Sequence, residues 1–553
     1  CRIKIITLNR NMNMKRLAII ILGGLALLGT TTSCQKDFEE INTNPNRPQQ
    51  ALPTALFNGS TKLFLKNTRN YTTSGMMFRS WMQYTAQDTY TKESRFLYRD
   101  YAGDYLWRYP YQVAGGYKDI IDLNTDPKTK ELMTTYGKSE NQIAAARIML
   151  AYTFALLVET FGDVPYYSYG SPNPERFQAL QLEKYISPVY ATQKEIYTDL
   201  LKELKEAAAQ IVSDSYVFKE GDYIFETPDK MRRFANSLRL RLAIRLKDVS
   251  DTELRTLAQQ SIDELKAGTA VMQSEADTVE LQFDSDDTNP APIYKEYFVS
   301  NRVDYSPSNS FVQLLKGQRG NFGVDPRLQK YFAPKGLTKY QARDGRYTES
   351  DNLNDYIGMP YGLDESMADF QFKSGVAVSF FSSRILQPNY AEVFMEYSEV
   401  CFLLSEANGW DNTWYKKGVE ASMKKWGVAD TKITNFLNTI PAANQENVLT
   451  QKYIALYMNP NEAWAEYRRT GYPHTLIKVN EETDLNIPTE AGQTKYRFES
   501  LVADLTDIPE RLFYPVAYKV INEANYQKAL ESMQMTTDIL TKRLIFDRGQ
   551  RRP

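Results

Sequence analysis

The sequence predicts a mostly α-helical chain with a few short strands. Three observations lead there: helix start and stop signals recur from end to end, strand-like runs are few and short, and one stretch, about 267–389, is rich in Asp, Asn, Pro, Gly and Tyr. At 553 residues, 42% hydrophobic and 24% charged, the chain has the composition of a globular protein with a sizeable core.

The elements follow in chain order. Residues 1–13 read as an upstream extension or gene-start artefact. Residues 14–33 combine Met14-Lys15-Arg16, an apolar run from Leu17 to Leu28, and small residues leading to Cys34. The apolar run is shorter than the ~20 residues a bilayer span needs, so it reads as an export signal. Small residues directly before a cysteine resemble a bacterial lipoprotein processing site, which would leave Cys34 as a lipidated first residue. Residues 34–50 then form an acidic tether, and 51–553 the body.

Within the body, helices are expected at about 52–66, 74–87 and 102–122. Ser139 with Gln142 reads as a capping box, and the run to Phe161 is apolar on nearly every side before Gly162 and Pro165 stop it, as expected of a central buried helix. Further helices are expected at 189–211, 228–247 (Thr227 as cap, Pro228 in the first position), 251–266, 390–408, 412–425, 444–458, after Asn459 as cap to Gly471, and at 516–530. The two strand signals are Val279–Phe283 and Val376–Phe381. The region 267–389 reads as long loops on a helical scaffold, where function usually sits.

Composition excludes several classes. Lys and Arg total 66 against 68 Asp and Glu; five of the basic residues precede Cys34 with no acid among them, leaving 61 against 68 for the rest. That disfavours a nucleic-acid partner. His474, in a Thr-Gly-Tyr-Pro-His turn, is the single imidazole, which leaves little for a His-built metal site or triad. Cys1, Cys34 and Cys401 provide no disulfide framework, and Cys401 lies in an apolar run that reads as core. No cofactor is implied.

Thr160-Phe161-Gly162-Asp163-Val164-Pro165-Tyr166, closing the Ala-rich helix, resembles a signature of the SusD/RagB family of nutrient-capturing outer-membrane lipoproteins. Phe38–Asn46, Phe234–Arg241, Asp325–Leu328, Glu399–Ala407 and Glu462–Arg469 are similar to other blocks of that family, in order, and the resemblance runs from Cys34 to Asp547. It implies tetratricopeptide-like helix pairs forming a right-handed scaffold, with an irregular ligand-facing subdomain. A clean 34-residue repeat is not visible in the sequence. The resemblance also implies an outer-membrane location, lipid-anchored and facing outward, a SusC-like TonB-dependent transporter as partner, an oligosaccharide or oligopeptide ligand, and no enzymatic activity.

Glu392, Glu396, Glu399 and Glu406 fall at helical steps and invite a glycosidase reading, in which two carboxylates share acid and base roles. The alternative is structural pairing with Arg239, Arg241 and Arg245 on the 228–247 helix. Asp284, Asp286, Asp287 and Asn289 fail the calcium-loop pattern and read as a solvated turn. Aromatic clusters are the better ligand candidates, since rings stack on sugars while Asn and Arg hydrogen-bond to hydroxyls or carbonyls. One runs from Trp81 and Tyr84 through Tyr90 and Arg95 to Tyr98 and Tyr101; Trp81 and Tyr84, inside the helical segment, read as core. The others are Tyr294, Tyr297, Asn301, Arg302 and Tyr305, and Tyr356 with Tyr361. The competing functions are a cell-surface glycoside hydrolase and an envelope adaptor without a small-molecule ligand.

Overall fold

The computed structural model describes residues 52–373 and 377–547. The export signal, Cys34, the tether and Val376 lie outside the described residues. Helices dominate the body. α1 (Pro53–Thr68) and α3 (Ser139–Phe161) both pack on α2 (Asp100–Thr125), and α4 (Gln193–Gln210), α5 (Pro228–Leu246) and α6 (Thr252–Leu265) follow, each against the helix before it. α7 (Tyr397–Ala407) continues the stack from α5 onto α8 (Asn412–Lys425) and α10 (Gln445–Ala455); α9 (Asp430–Thr439) rests on α8, and α11 (Pro460–Thr470) and α12 (Glu523–Ser532) follow. Neighbour-on-neighbour stacking of this kind is the tetratricopeptide-like scaffold.

α3 is buried almost throughout, as an all-round apolar helix must be, and it ends at Gly162, whose φ of 89° suits glycine. Its start differs from expectation. Lys138 occupies the N-cap, and the Gln142 amide donates to the carbonyls of Met133 (2.9 Å) and Gly137 (3.0 Å) instead of closing a capping box. Thr227 does cap α5, its hydroxyl accepting from the Lys230 N–H. Asn459 holds the N-cap position of α11, as expected, but its side chain makes no capping bond and its oxygen accepts from Arg69 Nη2 at 2.6 Å.

Three expected helices break, the 516–530 segment at Asn522, between a short turn of helix (Val516–Ile521) and α12. The 74–87 segment is a π-helix (Tyr71–Phe78) and one short turn, after which Gln83 at φ 54° redirects the chain into β1 (Thr85–Gln87). The 390–408 segment divides into β4 (Ala391–Met395) and α7, so Glu392 is on a strand and Glu396 at a helix cap. The first strand signal is β2 (Val279–Gln282), paired with β4. Among the described residues of the second, only Phe381 makes a bridge, to Phe332. The 267–389 region has short elements only, β3 (Tyr305–Pro307) among them, yet it is densely packed: Tyr297, Tyr305, Phe311, Tyr331, Phe332 and Phe381 belong to the main core. A last hairpin pairs β5 (Glu482–Asp484) with β6 (Lys495–Arg497).

Buried charge fastens the helices together. Arg241 of α5 makes a two-pronged pair with Glu399 of α7 (2.6 and 2.7 Å), and Arg245 bridges Glu159 of α3 and Glu462 of α11. Arg469 of α11 holds Glu406 of α7 at 2.8 Å twice, while Lys452 of α10 reaches Glu466 at 3.3 Å. Such groups are tolerated in a core only when each charge meets its opposite.

Candidate functional site

The β1–β3 pair joins two loops distant in sequence. Gln87 sits opposite Tyr305, the Asp88 N–H donates to the Asp304 carbonyl at 2.9 Å, and the Ser306 hydroxyl donates to Asp88 at 2.7 Å. Buried Gln87 then stiffens the loop that follows. Its amide donates to the Tyr90 carbonyl (2.9 Å) and to Glu93 (3.0 Å), and its oxygen accepts from the Ser94 N–H (2.6 Å).

At the surface this arrangement sets Arg302 between two rings, with its guanidinium carbon 5.1 Å from the centre of Tyr71 and 5.4 Å from that of Tyr90. Asp304 pairs with Arg302 (2.5 Å) and accepts from the Tyr71 hydroxyl. The hydrogen bond that Arg302 donates to Asp304 holds Arg302 firmly charged, while burial together with Asp304 pushes the Tyr71 phenol up. Tyr90 is 46% exposed at a left-handed φ of 56°, and Asn301 beside Arg302 has φ 52°. Strained non-glycine backbone of this kind concentrates at ligand-contacting positions.

Behind the rings the structure is closed. The Tyr305 hydroxyl donates to Glu296 and accepts from Arg79 at 3.0 Å. Burial pushes the Glu296 carboxyl up to about 7, against the pull of Arg79 and Tyr305. Gly75 leaves little room here: a Cβ on it would lie 3.0 Å from the Tyr305 ring and 3.2 Å from Glu296, close enough that these side chains would have to shift. A second exposed patch adjoins Asn301, which accepts from Lys339; there Lys339 and Arg343 face the rings of Phe298 and Tyr340 at 5.0–5.6 Å.

The expected site residues therefore divide. Tyr90, Asn301 and Arg302 come together at the surface, and Tyr294 packs on Phe298 with little exposure. Tyr297, Tyr305, Tyr356 and Tyr361 are fully buried, against the expectation that loop tyrosines offer their rings to a ligand. Each has a structural partner instead: the Tyr297 hydroxyl donates to the Tyr305 carbonyl (2.8 Å), Tyr356 accepts from the Ser350 N–H (3.1 Å), and Tyr361 donates to the Ser94 carbonyl (3.0 Å). Arg95 is half-buried and donates to the Glu499 carbonyl at 3.0 Å, so it positions the loop that carries Tyr90. Trp81 and Tyr84 are core, as expected. Tyr71, Arg99, Phe298 and Tyr340 belong to no sequence motif; for the three aromatic ones, a ring within a polar segment is the one local sign.

The four glutamates do not converge on a cleft. Glu399 and Glu406 are buried against Arg241 and Arg469, Glu396 lies 3.2 Å from Lys425, and Glu392 is buried near Arg69. Arg245 and Arg239, expected as their partners, pair with Glu159, Glu462 and Glu264. Among the described residues no group of three or more His, Cys, Asp or Glu is placed to hold a metal ion. The 284–289 turn is a solvated Asx turn, with Asp286 accepting from the Thr288 N–H at 2.8 Å.

Comparison with known proteins agrees with the fold. No curated protein matches the chain. A solved chitin-binding protein superposes with TM-score 0.67 at 23% identity, covering 90% of this chain and 100% of its own. A SusD homologue from Parabacteroides distasonis gives 0.69 at 20% identity (90% and 97% covered), and a chitin-binding SusD homologue from Flavobacterium johnsoniae 0.65 at 20% (89% and 98%). The family model described as starch-binding, associating with the outer membrane, matches residues 45–492, and that of the SusD and RagB outer membrane lipoproteins matches 441–545. With four-fifths of its length matched by the first model alone, this chain belongs to the SusD/RagB family of outer membrane lipoproteins.

Proposed function

We propose that this protein is a lipid-anchored, outward-facing binding protein that captures a nutrient oligomer, an oligosaccharide in the first instance, and delivers it to a SusC-like TonB-dependent transporter. The observation that carries the binding reading is the Tyr71–Arg302–Tyr90 stack, held on rigid backbone at the surface. Rings of this kind cover the apolar faces of sugars, and an arginine and an asparagine beside them satisfy hydroxyls. The starch-binding description of the family model and the chitin-binding relatives favour a glycan over a peptide. No step of the proposed function requires bond cleavage.

Calorimetry with maltooligosaccharides, chito-oligosaccharides and a panel of neutral oligopeptides tests this. Binding of an oligosaccharide series, weakened by Tyr90→Ala and Arg302→Ala, is the expected result. Binding of peptides alone would overturn the glycan reading. Retention of a SusC-like barrel by the protein on purification from native membranes, and release of a Cys34→Ser variant from the membrane, test delivery and anchoring.

A further inference from the structure

The rings do not stop at Tyr90. Arg99 lies over the Tyr90 ring at 5.9 Å and donates to the Tyr101 hydroxyl at 3.1 Å. From there Tyr101, Tyr105 and Tyr109 follow at four-residue steps along α2, which puts them on one side of the helix. Their ring centres are 6.0 and 5.4 Å apart, with planes tilted by 60° and 79°, so the surface is ribbed. Tyr101 is 45% exposed, and Tyr105 and Tyr109 are half-buried. Eight residue steps along the helix carry this ladder for about 12 Å beyond the Tyr90 loop.

Its charge is balanced locally. Arg302 pairs with Asp304, Arg99 with Glu93 at 2.9 Å, and Arg108, whose guanidinium lies 4.5 Å from the Tyr109 ring centre, with Asp104 at 3.1 Å. Each arginine beside the rings has its own carboxylate, so none is left to attract an anionic ligand. A row of rings edged by self-neutralised polar groups suits a neutral chain with apolar faces and many hydroxyls.

We propose that the Tyr101–Tyr105–Tyr109 ladder is an additional binding track, continuous with the Tyr90 site, which engages the far units of a long, linear, neutral oligosaccharide. The proposal rests on the glycan reading of the Tyr90 site and adds length and charge selection to it. Short oligomers occupy the Tyr71–Arg302–Tyr90 stack alone; longer ones gain the ladder.

The test is calorimetry with length series of maltooligosaccharides and chito-oligosaccharides, from dimer to octamer, on wild type, Tyr90→Ala, Tyr101→Ala and the triple Tyr101→Ala/Tyr105→Ala/Tyr109→Ala variant, with thermal melts of each. In the series that binds, wild-type affinity should keep rising with length. The triple variant should lose that rise, by about two- to tenfold per ring removed, and still bind the shortest ligand as wild type does. Tyr101→Ala, at the most exposed position, should show a smaller loss in the same direction and keeps the test valid if the triple variant unfolds. Wild-type binding of the octamer by both ladder variants, with Tyr90→Ala defective, would overturn the track and leave the Tyr90 site standing. Failure of wild type to bind either series overturns both. Affinity that falls steeply with added salt overturns the neutral-ligand assignment, because uncharged contacts are not screened.

Discussion

Glu399→Gln separates a structural carboxylate from a catalytic one. Glu399 is 1% exposed and accepts from both Nε and Nη2 of Arg241, whose other partners are the Phe394 carbonyl at 3.1 Å and Glu462 at 3.7 Å. The amide removes the negative charge and turns one acceptor into a donor facing the guanidinium. Breaking a buried pair from one side costs about 3–5 kcal/mol, and the lower end applies because Glu462 remains near Arg241. An unfolding entropy of roughly 2 cal/mol/K per residue, taken over roughly 500 residues unfolding together, makes each kcal/mol worth about 1 °C, so Tm should fall by about 3 °C. Differential scanning calorimetry at pH 7 measures this. A double variant, Glu399→Leu with Arg241→Met, should recover most of the loss, since the cost is that of the stranded charge. An unchanged Tm in Glu399→Gln, with loss of a glycan-cleaving activity, would refute the reasoning and favour the hydrolase.

Tyr90→Ala should weaken oligosaccharide binding by about 1 kcal/mol with little change in Tm, whereas Tyr297→Ala should lower stability by about 3–5 kcal/mol as a large-to-small core change, and paired titrations and melts distinguish them. Gly75→Ala should destabilise by about 1–3 kcal/mol through crowding of Tyr305 and Glu296, read by chemical denaturation. The pH dependence of stability should carry the mark of Glu296. Its carboxyl, pushed up from 4.5 to about 7, keeps its proton in the folded chain where the unfolded chain has lost it. The gain is full below about pH 4.5, is lost as pH rises through about 7, and amounts to roughly 3 kcal/mol. Glu296→Gln should flatten that part of the curve, and a wild-type profile that rises between pH 5 and 7.5 with Glu296→Gln unchanged in slope contradicts the assignment.

Much of the scaffold was legible because helix signals are local. Thr227 with Pro228 marks the start of α5, and Gly162 and Gly471 mark the ends of α3 and α11. Where two periods meet, local signals fail: Ala391–Met395 is a short apolar run that suits a strand or a buried helix equally, and pairing with β2 decides for the strand. A cap signal does not secure the capping bond where a distant residue claims the side chain, as Arg69 claims Asn459. Depth in the loop region was the least legible property. Tyr305 sits in a polar stretch, but Phe381 and Tyr297 enclose its ring, and segment polarity carries no record of such distant neighbours. Tyr90 and Arg302 fall in separate clusters of the sequence, and it is the β1–β3 register that makes them neighbours.

That register has a consequence for the order of events during synthesis. Asp88 and Ser306, which tie the two halves of the Tyr90 site, are 218 positions apart, and the loop between them is further held by Tyr361 and by the Leu501 N–H on the Arg95 carbonyl. Contacts this remote form late, since chain closure must precede any gain from them. A nascent or truncated chain ending before about residue 300 would carry Tyr71 and Tyr90 but lack Arg302 and the strand that sets them together, and one ending before about residue 499 would lack the last ties on the Tyr90 loop, so the recognition surface is completed from the far end of the chain.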